Sequence, residues 1–92
     1  MNNNIGEMGF RIERPLVKKY FLTSEIVNII HESSSCIRVW DQYFEVCKRR
    51  NNKGERLFSR TELAKLYMIQ SLLRNEKYTF KGAKLQLQKL RL

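Results

Sequence analysis

Lys48-Arg49-Arg50-Asn51-Asn52-Lys53-Gly54-Glu55-Arg56 is a basic, amide-rich turn set between two helix-like segments, and the fold is read outward from it. Arg56-Leu57-Phe58 reads as a short extended segment, so residues 48–58 are expected to form a two-stranded ribbon turning at Lys53-Gly54. Gly54 can take the positive φ that such a turn needs. Charge divides at the same place. Residues 1–46 hold five basic side chains (Arg11, Arg14, Lys18, Lys19, Arg38) against six acidic ones, a net of −1. Residues 47–92 hold thirteen against three (Glu55, Glu62, Glu76), a net of +10, which completes the formal +9 of the chain. A neutral front and a cationic back, joined by a loop of cations, is the footprint of something that lies on a polyanion.

Upstream of the loop, Ile37, Trp40 and Phe44 fall at i, i+3 and i+7, one buried stripe of a helix whose opposite, wet face holds Arg38, Asp41 and Gln42. Ser34 or Ser35 can cap this helix. A first helix of about two turns precedes it, with Thr23 or Ser24 as N-cap and Ile26, Ile29 and Ile30 at helical spacing. Glu32-Ser33-Ser34-Ser35 separates the two. Such a pair is a helix-turn-helix candidate, whose second helix usually enters the major groove. Lys19-Tyr20-Phe21-Leu22 is either a short strand or the lead-in to the first helix. Residues 1–17 show no sustained period and contain Pro15; they read as a flexible N-terminal tail, leaving 18–92 as the domain.

Downstream, Ser59-Arg60-Thr61-Glu62 is a capping box. The helix it opens carries Leu63, Leu66, Tyr67, Ile69, Leu72 and Leu73 and runs out near Arg74-Asn75. Thr79 caps a last helix through Phe80, Ala83, Leu87 and Leu90. The expected fold is mostly α: a winged helix-turn-helix with a short two-stranded wing and two further helices.

Ninety-two residues make one small domain with a thin core and no room for a deep catalytic cleft. With 42% apolar residues the chain is too hydrophobic to read as disordered. No apolar run is long enough to span a membrane, and Met1-Asn2-Asn3-Asn4 lacks the pattern of a secretory signal. Cys36 and Cys47 with the single His31 are too few ligands, wrongly spaced, for a closed zinc site. Cys36 falls within the second helix and Cys47 beyond its end, outside disulfide reach, as suits reduced thiols in a cytoplasmic protein. One histidine, no phosphate-cradling Gly-rich loop and no paired carboxylates give no enzymatic constellation, so no catalytic residue, cofactor or metal is assigned. The basic amphipathic stretch 77–92 could lie on anionic lipid, but the same residues serve as the closing helix of a small domain.

Lys48, Arg49, Arg50, Lys53 and Arg56 on a protruding ribbon can neutralise phosphates and release counterions. Asn51 and Asn52 can donate to phosphates or probe the minor groove. Arg38, with Ser34 and Ser35, is placed for phosphate or guanine contact, and Gln42, one turn later, for a base edge. The plainer alternatives are a solvated charged turn for the loop and, for Arg38, an ion pair to Asp41 or Glu45 on its own helix. Trp40 and Phe44 read as core rather than as stacking platforms. His31 reads as a turn residue.

From Lys19 to about Lys89 the chain resembles the winged-helix DNA-binding domain of the MerR (mercury-resistance regulator) family. The matching pieces are Ser24-Glu25-Ile26-Val27, Ile37-Arg38-Val39-Trp40-Asp41, Asn52-Lys53-Gly54-Glu55-Arg56-Leu57-Phe58-Ser59 and Tyr78-Thr79-Phe80-Lys81-Gly82-Ala83-Lys84. Val39 replaces one aromatic of the family's Leu/Ile-Arg-aromatic-aromatic-acid signature. The last piece looks like a small compact-regulator branch. The resemblance implies that Arg56 stands at the family's wing arginine, where it would clamp a phosphate. Where the family usually has Gly and an apolar residue in the helix–helix turn, this chain has His31-Glu32; His tolerates left-handed geometry, so the turn can survive. Family regulators continue into a long dimerising helix and often an effector-binding domain. This chain stops at Leu92, so ligand or metal sensing by this polypeptide alone is not expected.

The expected function is sequence-specific binding of double-stranded DNA in transcriptional regulation, through a recognition helix at about 35–44 and the wing at 48–58. Two alternatives stand beside it: an excisionase-like architectural factor, and a protein-interaction module docking an acidic partner. The chain is expected to pair as a homodimer through its C-terminal helix or a continuation of it. Leu85 and Leu92 point away from the core-facing stripe of Phe80, Ala83, Leu87 and Leu90, or else merely flank a broad apolar face. No small-molecule effector is evident.

Overall fold

The computed structural model describes residues 18–90; the expected tail, 1–17, and Leu92 lie outside them. The described residues run β1 (Tyr20–Leu22), α1 (Thr23–Ile30), α2 (Ser34–Phe44), β2 (Arg49–Arg50), β3 (Arg56–Ser59), α3 (Arg60–Gln70) and α4 (Phe80–Leu90), with a π-helical turn, Ser71–Asn75, prolonging α3.

Side-chain caps set most of the helix starts. Ser59 Oγ accepts from the Glu62 N–H at 3.1 Å while Glu62 Oε1 accepts from the Ser59 N–H at 2.9 Å, the reciprocal box expected for α3. Thr79 Oγ1 accepts from the Gly82 N–H at 3.0 Å and opens α4 as expected. The other two starts fall one residue earlier than the hydroxyls suggested. Ser33, not Ser34 or Ser35, caps α2 by accepting from the Cys36 N–H at 3.1 Å. Neither Thr23 nor Ser24 caps α1: Thr23 is already helical, and Glu25 Oε1 satisfies the Leu22 N–H at 2.8 Å. The strand β1 runs straight into α1, which leaves no linker for a hydroxyl cap. His31 closes α1 at φ +62°, the left-handed turn expected of it.

The wing is part of a three-stranded antiparallel sheet in the order β1-β3-β2. Lys19–Leu22 thus contributes a strand, with Tyr20 opposite Ser59, Phe21 opposite Phe58 and Leu22 opposite Leu57. On the other edge of β3, Arg49 faces Leu57 and Arg50 faces Arg56. Gly54 takes φ +82° in the connecting turn, as its position required.

Ile26 and Ile30 of α1, Ile37, Trp40 and Phe44 of α2, and Phe58 of β3 bury their side chains against Leu66, Ile69 and Leu72, with Ala83 and Leu87 of α4 closing the cluster. Each large apolar side chain so buried contributes about 1.5–3 kcal/mol relative to exposure. Two expectations for the surface do not hold. Leu90 is 49% and Phe80 36% exposed, so of the expected inward stripe of α4 only Ala83 and Leu87 are buried. Asp41, assigned to the wet face of α2, is only 8% exposed, because the wing folds a cation over it.

Candidate nucleic-acid interface

With Ile37, Trp40 and Phe44 turned inward, α2 leaves Ser34, Ser35, Arg38, Val39 and Gln42 exposed. Ser35, Arg38 and Gln42 stand at i, i+3 and i+7, so they share one face. Ser34 and Arg38 line an open cleft of about 310 Å³ with Thr23 and Ser24 at the start of α1 and Arg50, Gly54 and Arg56 of the wing. Three separate pieces of sequence therefore meet at the N-terminal end of α2. Among the described residues Arg38 has no ion pair, so neither Asp41 nor Glu45 claims it.

The wing residues divide by what holds them. Asn51 builds the turn: its Oδ1 accepts from the N–H groups of Lys53 (2.9 Å) and Glu55 (3.0 Å), and its Nδ2 donates to Glu55 Oε1 at 2.9 Å. Arg50 Nη1 donates to the Gly54 carbonyl at 2.7 Å, which folds it over the turn into the cleft. Asn52 and Lys53 stand exposed at the tip. Arg49 points the other way: its Nη1 lies 3.2 Å from Glu62 Oε1, and its guanidinium 5.0 Å from the centre of the Tyr20 ring. Lys48 stands at the wing's base and lines none of the α2–wing cleft.

Arg56 is bound more firmly than any other wing cation. Its Nε donates to Asp41 Oδ2, with the two side chains only 13% and 9% exposed. The other carboxylate oxygen, Oδ1, accepts from the Cys47 N–H at 2.7 Å. The Cys47 thiol in turn sits 3.1 Å from the Arg49 carbonyl and 3.3 Å from the Leu57 carbonyl, one on each strand of the wing. One buried carboxylate of α2 thus ties the wing to that helix.

A second carboxylate fixes the helix–helix turn. Glu32 accepts from Arg74 Nη2 at 2.8 Å and Nε at 3.1 Å, and from Gln70 Nε2 at 2.8 Å. Gln70 also donates to the Ile30 carbonyl at 2.7 Å, and Arg74 lies 5.5 Å over the Trp40 ring. The Arg74 hydrogen bonds hold the Glu32 carboxyl below the usual carboxylate range, against the opposing effect of burial. Burial and the neighbouring Glu32 charge push the Cys36 thiol up, which favours its neutral form. Both cysteines are free, Cys36 inside α2 and Cys47 beyond it.

Reading the sequence missed three pairings: Asp41 with Arg56, Glu62 with Arg49, and Glu32 with Arg74. Asp41 carried a usable signal: Ile37, Asp41 and Phe44 are spaced i, i+4 and i+7, so it borders the apolar stripe. Glu32 and Arg74, 42 residues apart, carried none.

The family of MerR helix-turn-helix regulatory proteins matches residues 21–90, from β1 through the end of α4. The chain belongs to the MerR family. A comparison with curated proteins gives no match. MerR-family membership makes this a DNA-binding domain of a transcription regulator, in a family of non-enzymes. No described helix is long and apolar enough to cross a membrane.

Proposed function

We propose that this MerR-family domain reads a specific double-stranded sequence by laying the N-terminal half of α2 in the major groove while the wing tip rides the flanking backbone. The observation that carries this reading is the shared cleft of Ser34, Arg38, Arg50 and Arg56. Arg38 and Gln42 contact base edges; Ser34 and Ser35 position the helix on phosphate. Arg50, Asn52 and Lys53 supply the outer phosphate contacts. Arg49, Asn51 and Arg56 serve chiefly by shaping and anchoring the wing, and Lys48 adds to the general field.

A salt titration tests it. Affinity for generic duplex should fall with log salt at a slope of about −0.9 per neutralised phosphate, so Arg50 and Lys53 give a slope of roughly −2 and each further cation engaged steepens it by about 0.9. A nearly flat response would instead mark a module that docks an acidic protein.

The domain covers one half-site, and pairing through α4 would let two copies read repeated half-sites. The exposure of Leu85 (52%) and Leu90 (49%) supports this. Sedimentation at micromolar concentration with and without duplex should show a dimer in at least one condition. A monomer in both, protecting a single half-site, excludes it.

A further inference from the structure

Lys48, Lys65 and Lys84 come from the wing's base, α3 and α4, and they line one open cleft of about 230 Å³ beyond the C-terminal end of α2. Its apolar wall is Phe44 and Leu87, both buried core residues, and its rim holds Gln88 and one carboxylate, Glu45. None of the three lysines forms an ion pair with a described residue. Lys84 is nonetheless held in place: its Nζ donates to the Tyr43 carbonyl at 3.4 Å and lies 5.1 Å from the centre of the Tyr43 ring. Three like charges lining one concavity repel, and Glu45 with the carbonyl end of α2 offsets only part of that repulsion. A cleft of one sign with an apolar wall focuses a field on whatever enters it.

We propose that this cleft binds a small phosphate-bearing anion. A phosphoryl group offers several acceptor oxygens and close to two negative charges, which suits a cleft lined by three lysines from three elements better than a single carboxylate does. The cleft is smaller than the roughly 300–1,000 Å³ of drug-sized ligand sites, so it accommodates a phosphate or pyrophosphate moiety rather than an extended chain. It shares no lining residue with the α2–wing cleft, and α2, at 11 residues, separates the two by about 16 Å. A bound anion would tie Lys48, one residue before β2, to α3 and α4 and so brace the wing's base.

The test is titration of the whole chain with pyrophosphate, by calorimetry and by thermal unfolding, against potassium chloride at matched ionic strength. Saturable binding with a rise in Tm is expected in the native chain. In Lys65→Gln/Lys84→Gln the affinity should drop at least about tenfold, while Arg38→Ala, at the other end of α2, should bind pyrophosphate as the native chain does. Circular dichroism of the double variant checks that it folds, and single Lys65→Gln gives a milder version of the same drop. No saturable binding by the native chain, a Tm rise equalled by chloride, or loss of binding in Arg38→Ala rather than in the double variant would each overturn the assignment. So would abolition of pyrophosphate binding by saturating duplex, because the lysines would then belong to the DNA interface.

Discussion

The two ends of α2 carry cations of different kinds. At the N-terminal end Arg38, Arg50 and Arg56 meet beside the serine hydroxyls of α2; at the C-terminal end Lys48, Lys65 and Lys84 meet against the core residues Phe44 and Leu87. A guanidinium is a planar fork that matches a guanine edge or a carboxylate with two parallel hydrogen bonds; an ammonium is a compact point charge. Geometry is therefore available at the arginine end and field strength at the lysine end. Even within the arginine end the cations are unequal. Arg56 is spent on Asp41 and Arg50 folds over the wing turn, while Arg38 stands without an ion pair among the described residues. The positive count of residues 47–92 thus measures attraction for polyanions, and partner geometry decides which cations can recognise anything.

The largest effect expected is on stability. Asp41→Ala leaves a largely buried guanidinium and the Cys47 N–H without their carboxylate, at a cost of about 3 kcal/mol read from urea unfolding. Arg56→Ala should cost nearly as much, and the double variant far less than the sum. An Arg56→Ala protein of native stability with weakened duplex binding would break the distinction and return Arg56 to the phosphate contacts. Next in size is Arg38→Ala, which should lose about 1–3 kcal/mol on the preferred duplex and much less on random sequence. Equal losses on both, measured by fluorescence anisotropy, would make Arg38 a phosphate contact.

Arg50→Ala should weaken all duplexes alike and reduce the salt slope by about one. A change in the preferred sequence with the slope intact would give the wing a base-reading role. The smallest effect concerns Glu32, whose arginine partner is 55% exposed. Because Arg74 lowers the folded pKa of Glu32, its stabilisation is complete above the unfolded value of 4.5 and fades as pH falls through the folded one. Native and Glu32→Gln unfolding midpoints should therefore differ at neutral pH and converge in acid. A gap that persists at pH values well below 4.5 would show that Glu32 acts through something other than its charge.

Local rules carry far in this chain. The Ser59–Glu62 box, the Thr79 cap, the Ile37-Trp40-Phe44 stripe and Gly54 at positive φ each depend on residues within a few positions of one another, so the order of helices and the wing can be read in one dimension. The family resemblance added function because its motifs fall in the same order and spacing. Other features needed partners far along the chain. Tyr20–Leu22 becomes a strand only because β3, more than 30 residues later, presents an edge to it. Asp41 is buried only because Arg56, 15 residues away, swings over it, and Glu32 is held by Arg74, 42 residues away. The sequence by itself determined which helices form, where the wing turns and how much positive charge lies behind it. Only the tertiary structure decided which carboxylates neutralise which arginines and that three scattered lysines converge, because charge pairing depends on distance through space, which sequence separation does not specify.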